Sequence, residues 1–150
     1  MIIWKVIGRL GFWLVWPIFK LKLRTTTRTR IIIQHHNQIL VVKNWLGSGK
    51  WGLPGGGVKI NEDSLTSALR EVKEEVGYTL KRKDCRKLGN FEYQSNGLTF
   101  VYSLYKVRIN KVTDIKRQKL EITEAQWIDT ELLSAENSAS DVLQALKVIK

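Results

Sequence analysis

Apolar positions recur along the chain with two different periods, and each switch of period marks the boundary of an element. The runs RTRIIIQ and QILVVK are short and β-branched, and the intervening HHN has the polar character of a turn, which predicts an antiparallel hairpin. The glycine-dense stretch NWLGSGKWGLPGGGVKI predicts a loop whose backbone comes close to a ligand, ending in a short apolar strand around Val58 to Ile60. In EDSLTSALREVKEEVG, Leu65, Ala68, Leu69, Val72 and Val76 follow helical spacing, with Asp63 as N-cap and Gly77 as the C-terminal stop. RKLGNFEYQ and LTFVYSLYKVRI read as two strands turning at SNG, and ITEAQWID as another. SASDVLQALKVIK closes the chain as an amphipathic helix with Val142, Leu143 and Leu146 toward the core. The order β, β, helix, β, β, β, helix predicts an α+β or sandwich-like α/β domain.

Residues 1–20, MIIWKVIGRLGFWLVWPIFK, stand outside this pattern and hold three of the six tryptophans. The longest uncharged run, Leu10 to Phe19, is about half of the ~20 residues that a spanning helix requires. No alanine occurs before Ala68 to provide a small-residue cleavage site, so the segment is expected to stay attached. Two roles fit it. One is an in-plane membrane anchor, with Trp4, Trp13 and Trp16 at headgroup depth and basic residues up to Arg30 meeting anionic lipid. The other is an apolar helix packed on the protein's own sheet or on a second copy. The expected organisation is therefore a segment 1–24 ahead of a domain 25–150.

Charge sharpens this division. The 150 residues carry 25 basic and 14 acidic side chains, yet the first carboxylate along the chain is Glu62. Ten basic residues precede it, leaving fifteen against fourteen acidic in the remainder. Such a basic front attracts polyanions, whether substrate phosphates, RNA or a membrane surface. With Cys85 the single cysteine, no intramolecular disulfide is available, and a reducing cytoplasmic location, peripheral at the membrane on the anchor reading, is the expectation.

Along the helix from Asp63 to Val76, a step of about 100° per residue brings Glu71, Glu74 and Glu75 onto one solvent-facing side, away from the apolar stripe. Like charges at these spacings repel unless cations bind between them, and oxygen-only donors suit a hard divalent ion such as Mg²⁺. Arg70 is placed to pair with a glutamate and orient it, and Glu62, at the loop-to-helix junction, to brace the loop. Trp45 and Trp51 flank the glycine loop and are candidates to stack on a nucleobase, with Lys43 or Lys50 near a phosphate. Tyr93, Phe100 and Tyr102 could stack there too, but Phe100 and Tyr102 read mainly as core, and His35 and His36 as exposed turn residues.

The segment from Gly56 to Tyr78 resembles the signature of the Nudix hydrolases: Gly56, Glu62, Arg70, Glu71, Val72, Glu74, Glu75 and Gly77 all fall in register within 23 residues. WGLPGG resembles the usual lead-in, and a looser likeness runs from about Arg28 to Ile149. Tyr78 departs from the pattern at a normally aliphatic position, and Asn61 stands where glycine is common. The resemblance implies a mixed sheet sandwiched between helices and metal-dependent cleavage of a pyrophosphate bond in a nucleoside diphosphate linked to another group. It implies Mg²⁺ or Mn²⁺ held by Glu71, Glu74 and Glu75 with the Gly56 carbonyl, Arg70 and Glu62 orienting them, and Gly77 in structural support. For the general base, Glu121 is the candidate outside the box, with Glu124 second. The rival expectation is a non-catalytic nucleotide- or RNA-binding module on the same fold.

Overall fold

The computed structural model describes residues 27–45, 47–95, 97–117 and 121–149. Expectations for residues 1–24, the membrane anchor among them, lie outside these. Among the described residues no helix is long and apolar enough to cross a membrane.

Five strands form one mixed sheet: β1 (Arg28–His35), β2 (Gln38–Asn44), β3 (Arg86–Ser95), β4 (Leu98–Arg108) and β5 (Ile122–Asp129). Their spatial order is β3-β4-β1-β2-β5, with β1 parallel to β4 and every other pairing antiparallel. Two helices flank it, α1 (Ser64–Val76) and α2 (Ser140–Val148). The central strands read as continuous apolar runs because both faces are covered. Ile31, Ile33, Leu40 and Val42 pack on Ala68, Val72 and Val76 of α1, while Ile32, Ile39 and Val41 pack with Val142 and Ala145 of α2. Successive side chains of β1 and β2 thus feed opposite cores.

Both ends of α1 follow local chemistry. Asp63 accepts from the amides of Leu65 and Thr66 at 3.0 and 3.1 Å, and Gly77 takes the left-handed φ of 80° that ends the helix. Asn61 also adopts a left-handed φ, 65°, just before the cap. Tyr78 buries its ring, and its hydroxyl accepts from the Thr113 amide at 2.9 Å.

Three expectations need correction. Val58 to Ile60 is not a strand: Gly57 makes only an isolated bridge to Arg28, and Ile60 is 93% exposed. The chain there is already turning toward α1, with the Glu62 amide bonded to the Lys59 carbonyl at 3.1 Å. His35 is a half-buried strand residue whose Nδ1 lies 3.0 Å from the Ile109 carbonyl, so only His36 occupies the turn as an exposed residue. Trp51 belongs to the α2-side core, because its backbone bridges to Ser138 and carries the ring inward.

Candidate active site

Arg70 organises the acidic face of α1. Its guanidinium reaches both carboxylate oxygens of Glu62 at 3.0 Å, Glu71 at 2.7 Å and Glu74 at 3.1 Å. The same side chain bonds the Gly57 carbonyl at 3.3 Å, tying helix to loop. These contacts hold the Glu62 carboxyl below its ordinary range and raise the Arg70 guanidinium above its own.

The three box glutamates do not share one solvent-facing side, contrary to the helical-wheel expectation. The Glu74 side chain is half exposed, Glu71 is largely covered, and Glu75 retains 4% of its surface. The cause is the glycine loop, which folds over the second half of α1. A Cβ on Gly56 would lie 2.5 Å from the Glu71 carboxyl carbon, and one on Gly55, where φ is 138°, only 2.2 Å from the Thr29 carbonyl oxygen. Only glycine lets this backbone press between β1 and the carboxylates.

Glu75 is enclosed, and among the described residues its one hydrogen-bond donor is the Gly55 amide at 2.9 Å. Burial pushes its carboxyl up to about 8, with Glu71 and Glu121 adding to the rise and Arg30 opposing it. The sign of the consequence follows directly. Between its ordinary value of 4.5 and about 8 the folded chain binds more protons than the unfolded one, so stability falls as pH rises through that window. In chelator-treated protein we expect a loss on the order of 3 kcal/mol from pH 5 to 8.5, read from thermal melts, and a flatter profile in Glu75→Gln. Burial also raises the Asp141 carboxyl and adds a slope of the same sign, so the difference between the two proteins isolates Glu75. Coincident profiles would refute the assignment.

A cleft of about 380 Å³ brings Glu71, Glu75 and Glu121 together beside the Gly55–Gly57 backbone, with Arg28, Asn44 and Trp45 on its other walls. Glu121 enters through the pairing of β2 with β5, where its carbonyl accepts from the Trp45 amide at 2.9 Å. Glu124 is engaged elsewhere, with Lys43 at 3.2 Å. Of the three substrate-binding candidates only Trp45 lines the cleft. Lys50 bonds the Ala135 carbonyl at 2.7 Å, and Trp51 is buried under the Lys43 amine, 4.3 Å from its ring centroid. Lys43 is thereby occupied as well.

Sequence reasoning missed a buried ion pair behind the cleft. Arg30 Nε lies 3.1 Å from Asp141 Oδ2, and Arg30 Nη1 donates to the Gly55 carbonyl at 2.6 Å. Asp141 also accepts from the Leu53 amide at 3.1 Å. A charge interrupting the β-branched run of β1 is the one sequence signal for Arg30, and nothing local marks its partner 111 positions away.

The donors fit a hard divalent cation by chemistry: carboxylate oxygens, one of them buried with a single hydrogen bond, and the Gly56 carbonyl, which spends one lone pair on the Thr29 amide at 2.9 Å. Among the described residues no three acidic side chains yet converge on one point, since Arg70 draws Glu71 and Glu74 toward itself.

A mixed sheet between two helices, with a glycine loop over an acidic helix, defines a class of fold and site that known proteins share. The NUDIX domain profile matches residues 24–146, and the chain belongs to the Nudix family. It is 30% identical to Nudix hydrolase 10 of Arabidopsis thaliana over 125 residues, covering 79% of this chain and 43% of that protein. It is also 30% identical to diphosphoinositol polyphosphate phosphohydrolase 3-beta of Bos taurus over 119 residues, covering 78% of this chain and 63% of that one. The chain thus spans between about two fifths and two thirds of these relatives' lengths. The crystal structure of a MutT NUDIX hydrolase from Burkholderia pseudomallei superposes with a TM-score of 0.73 at 22% identity, covering 83% of this chain and 98% of that one, a likeness of fold.

Proposed function

We propose that this chain hydrolyses a phosphoric anhydride, cleaving the pyrophosphate linkage of a nucleoside diphosphate derivative or nucleoside triphosphate. The observation that carries this reading is the buried, charge-frustrated Glu75 in a cleft shared with Glu71 and Glu121. Glu71, Glu74 and Glu75, with the Gly56 carbonyl, are the residues that would hold Mg²⁺ or Mn²⁺. Such an ion supplies neutralisation of the pyrophosphate and a lowered pKa for water.

The protein's own groups divide the remaining work. Arg70 holds Glu71 and Glu74 in place and is itself held by Glu62. The Gly55 amide orients the Glu75 carboxylate. Glu121, at the cleft and free of ion pairs among the described residues, is the group we assign to take a proton from the attacking water. Trp45, 72% exposed on the cleft wall, offers a face to a nucleobase.

The test is release of phosphate or phosphorylated products from nucleoside triphosphates, dinucleoside polyphosphates, ADP-ribose, NADH, nucleotide sugars and a diphosphoinositol polyphosphate, with and without Mg²⁺. The last compound is included because a relative is named for it. Metal-dependent turnover of one class is the expected result. Glu121→Gln is then expected to lower kcat by about 100-fold or more while moving KM less than about threefold. Binding without turnover across the panel would favour the non-catalytic module.

A further inference from the structure

The charged groups around the cleft are mostly spoken for. Arg70 is taken by Glu62, Glu71 and Glu74, and Arg30 by Asp141. Arg28, on the first residue of β1, lines the same cleft and makes no ion pair among the described residues. Its Nε is buried with no hydrogen-bond partner. An aromatic ring holds it instead: the guanidinium carbon sits 4.8 Å from the centroid of Phe100, which itself stacks on Tyr93 at 4.6 Å. A ring contact steadies the guanidinium plane without using up its N–H donors.

Residues 1–61 contain no Asp or Glu. A buried donor with no partner is costly, so its presence at a cleft wall calls for a reason. Burial and the neighbouring Arg30 lower this guanidinium to about 10, which leaves it fully charged at neutral pH.

We propose that Arg28 is a substrate-binding residue, its planar guanidinium gripping non-bridging oxygens of a phosphoryl group in the cleft beside the Glu71 and Glu75 carboxylates. The geometry suits this ligand class. A guanidinium presents parallel N–H donors that match two oxygens of one phosphoryl group, whereas an ammonium offers a point charge. The grip acts on the bound substrate before the anhydride is cut, so its loss appears mainly in KM. This assignment rests on the hydrolase reading for its biological meaning, and its test is chosen to stand without turnover.

The probe is methylenebisphosphonate, whose P–C–P bridge resists hydrolysis, titrated calorimetrically into the 150-residue chain with Mg²⁺ present. Arg28→Met keeps an apolar stem against Phe100 and removes the charge. It is expected to weaken Kd about 10- to 100-fold while the melting temperature moves by less than about 3 °C. Arg28→Lys, which keeps charge but loses the planar fork, is expected to fall between the two, about 5-fold weaker than the unaltered protein. Where a hydrolysed nucleotide has been found, KM in Arg28→Met should rise at least about tenfold with kcat within about threefold.

Unchanged Kd in a folded Arg28→Met protein overturns the proposal and leaves the hydrolase reading intact. Weakened binding alongside a silent substrate panel supports Arg28 and counts against hydrolysis. Should Arg28→Met melt far below the unaltered protein, Arg28→Lys decides, and equal affinity there overturns the two-point grip.

Discussion

Replacing Glu75 with glutamine is expected to abolish at least about 99% of metal-dependent turnover while making the metal-free protein more stable at pH 8. Glutamine is nearly isosteric with glutamate, and its carbonyl oxygen can still accept from the Gly55 amide, so loop and helix remain joined. What disappears is a negative charge held in a space with 4% exposure, next to Glu71 and within the field of Glu121. In the absence of a cation that charge works against folding, and its removal relieves the cost. On the proposed function the same charge would help the cleft hold a cation beside a pyrophosphate, and losses of about 100-fold or more follow when such electrostatic groups are deleted. The paired readout is diagnostic. A residue that merely packs would lose stability along with activity, whereas a functional charge frustrated by burial trades one against the other. Turnover within about threefold of the unaltered protein would refute the role.

Asp141→Ala is expected to cost about 3–5 kcal/mol in equilibrium denaturation, the largest single loss of stability that we predict. The substitution leaves Arg30 as a buried cation facing a small cavity, and it removes the acceptor for the Leu53 amide. Breaking one side of a buried pair is far more damaging than replacing both, so Arg30→Met combined with Asp141→Leu should recover part of the lost stability. Activity should not recover with it. Arg30 also donates to the Gly55 carbonyl, and the Gly55 amide in turn holds Glu75, so the pair supports the glycine loop from behind. A stability loss below about 1 kcal/mol for Asp141→Ala would show that the pair is dispensable.

Much of the site was legible in the chain because it depends on near neighbours. The N-cap at Asp63, the stop at Gly77 and the reach of Arg70 to Glu71 and Glu74 are set within a single helix, where spacing dictates contact. The short β-branched runs of β1 and β2 likewise announced an antiparallel pair of strands. Reading Val58 to Ile60 as a strand failed because three apolar or long side chains after a glycine run carry no information about whether a neighbouring strand edge is free to receive them. Trp51 misled for a related reason: an aromatic residue beside a loop packs inward or faces a ligand according to which elements close over it.

The sequence alone determined the order of elements and the acidic helix, which follow from periodicity and short-range spacing, and the family, which follows from the likeness to a known signature. Only the tertiary structure decided that Glu75 is buried while Glu74 is not, that Glu121 joins Glu71 and Glu75 in one cleft, that Arg28 lines it with no ion pair among the described residues, and that Arg30 and Asp141 meet beneath the glycine loop. Burial and long-range pairing depend on how the sheet brings distant segments together, and the energies that shift a carboxyl group or strand a guanidinium arise from that enclosure rather than from any residue's own chemistry.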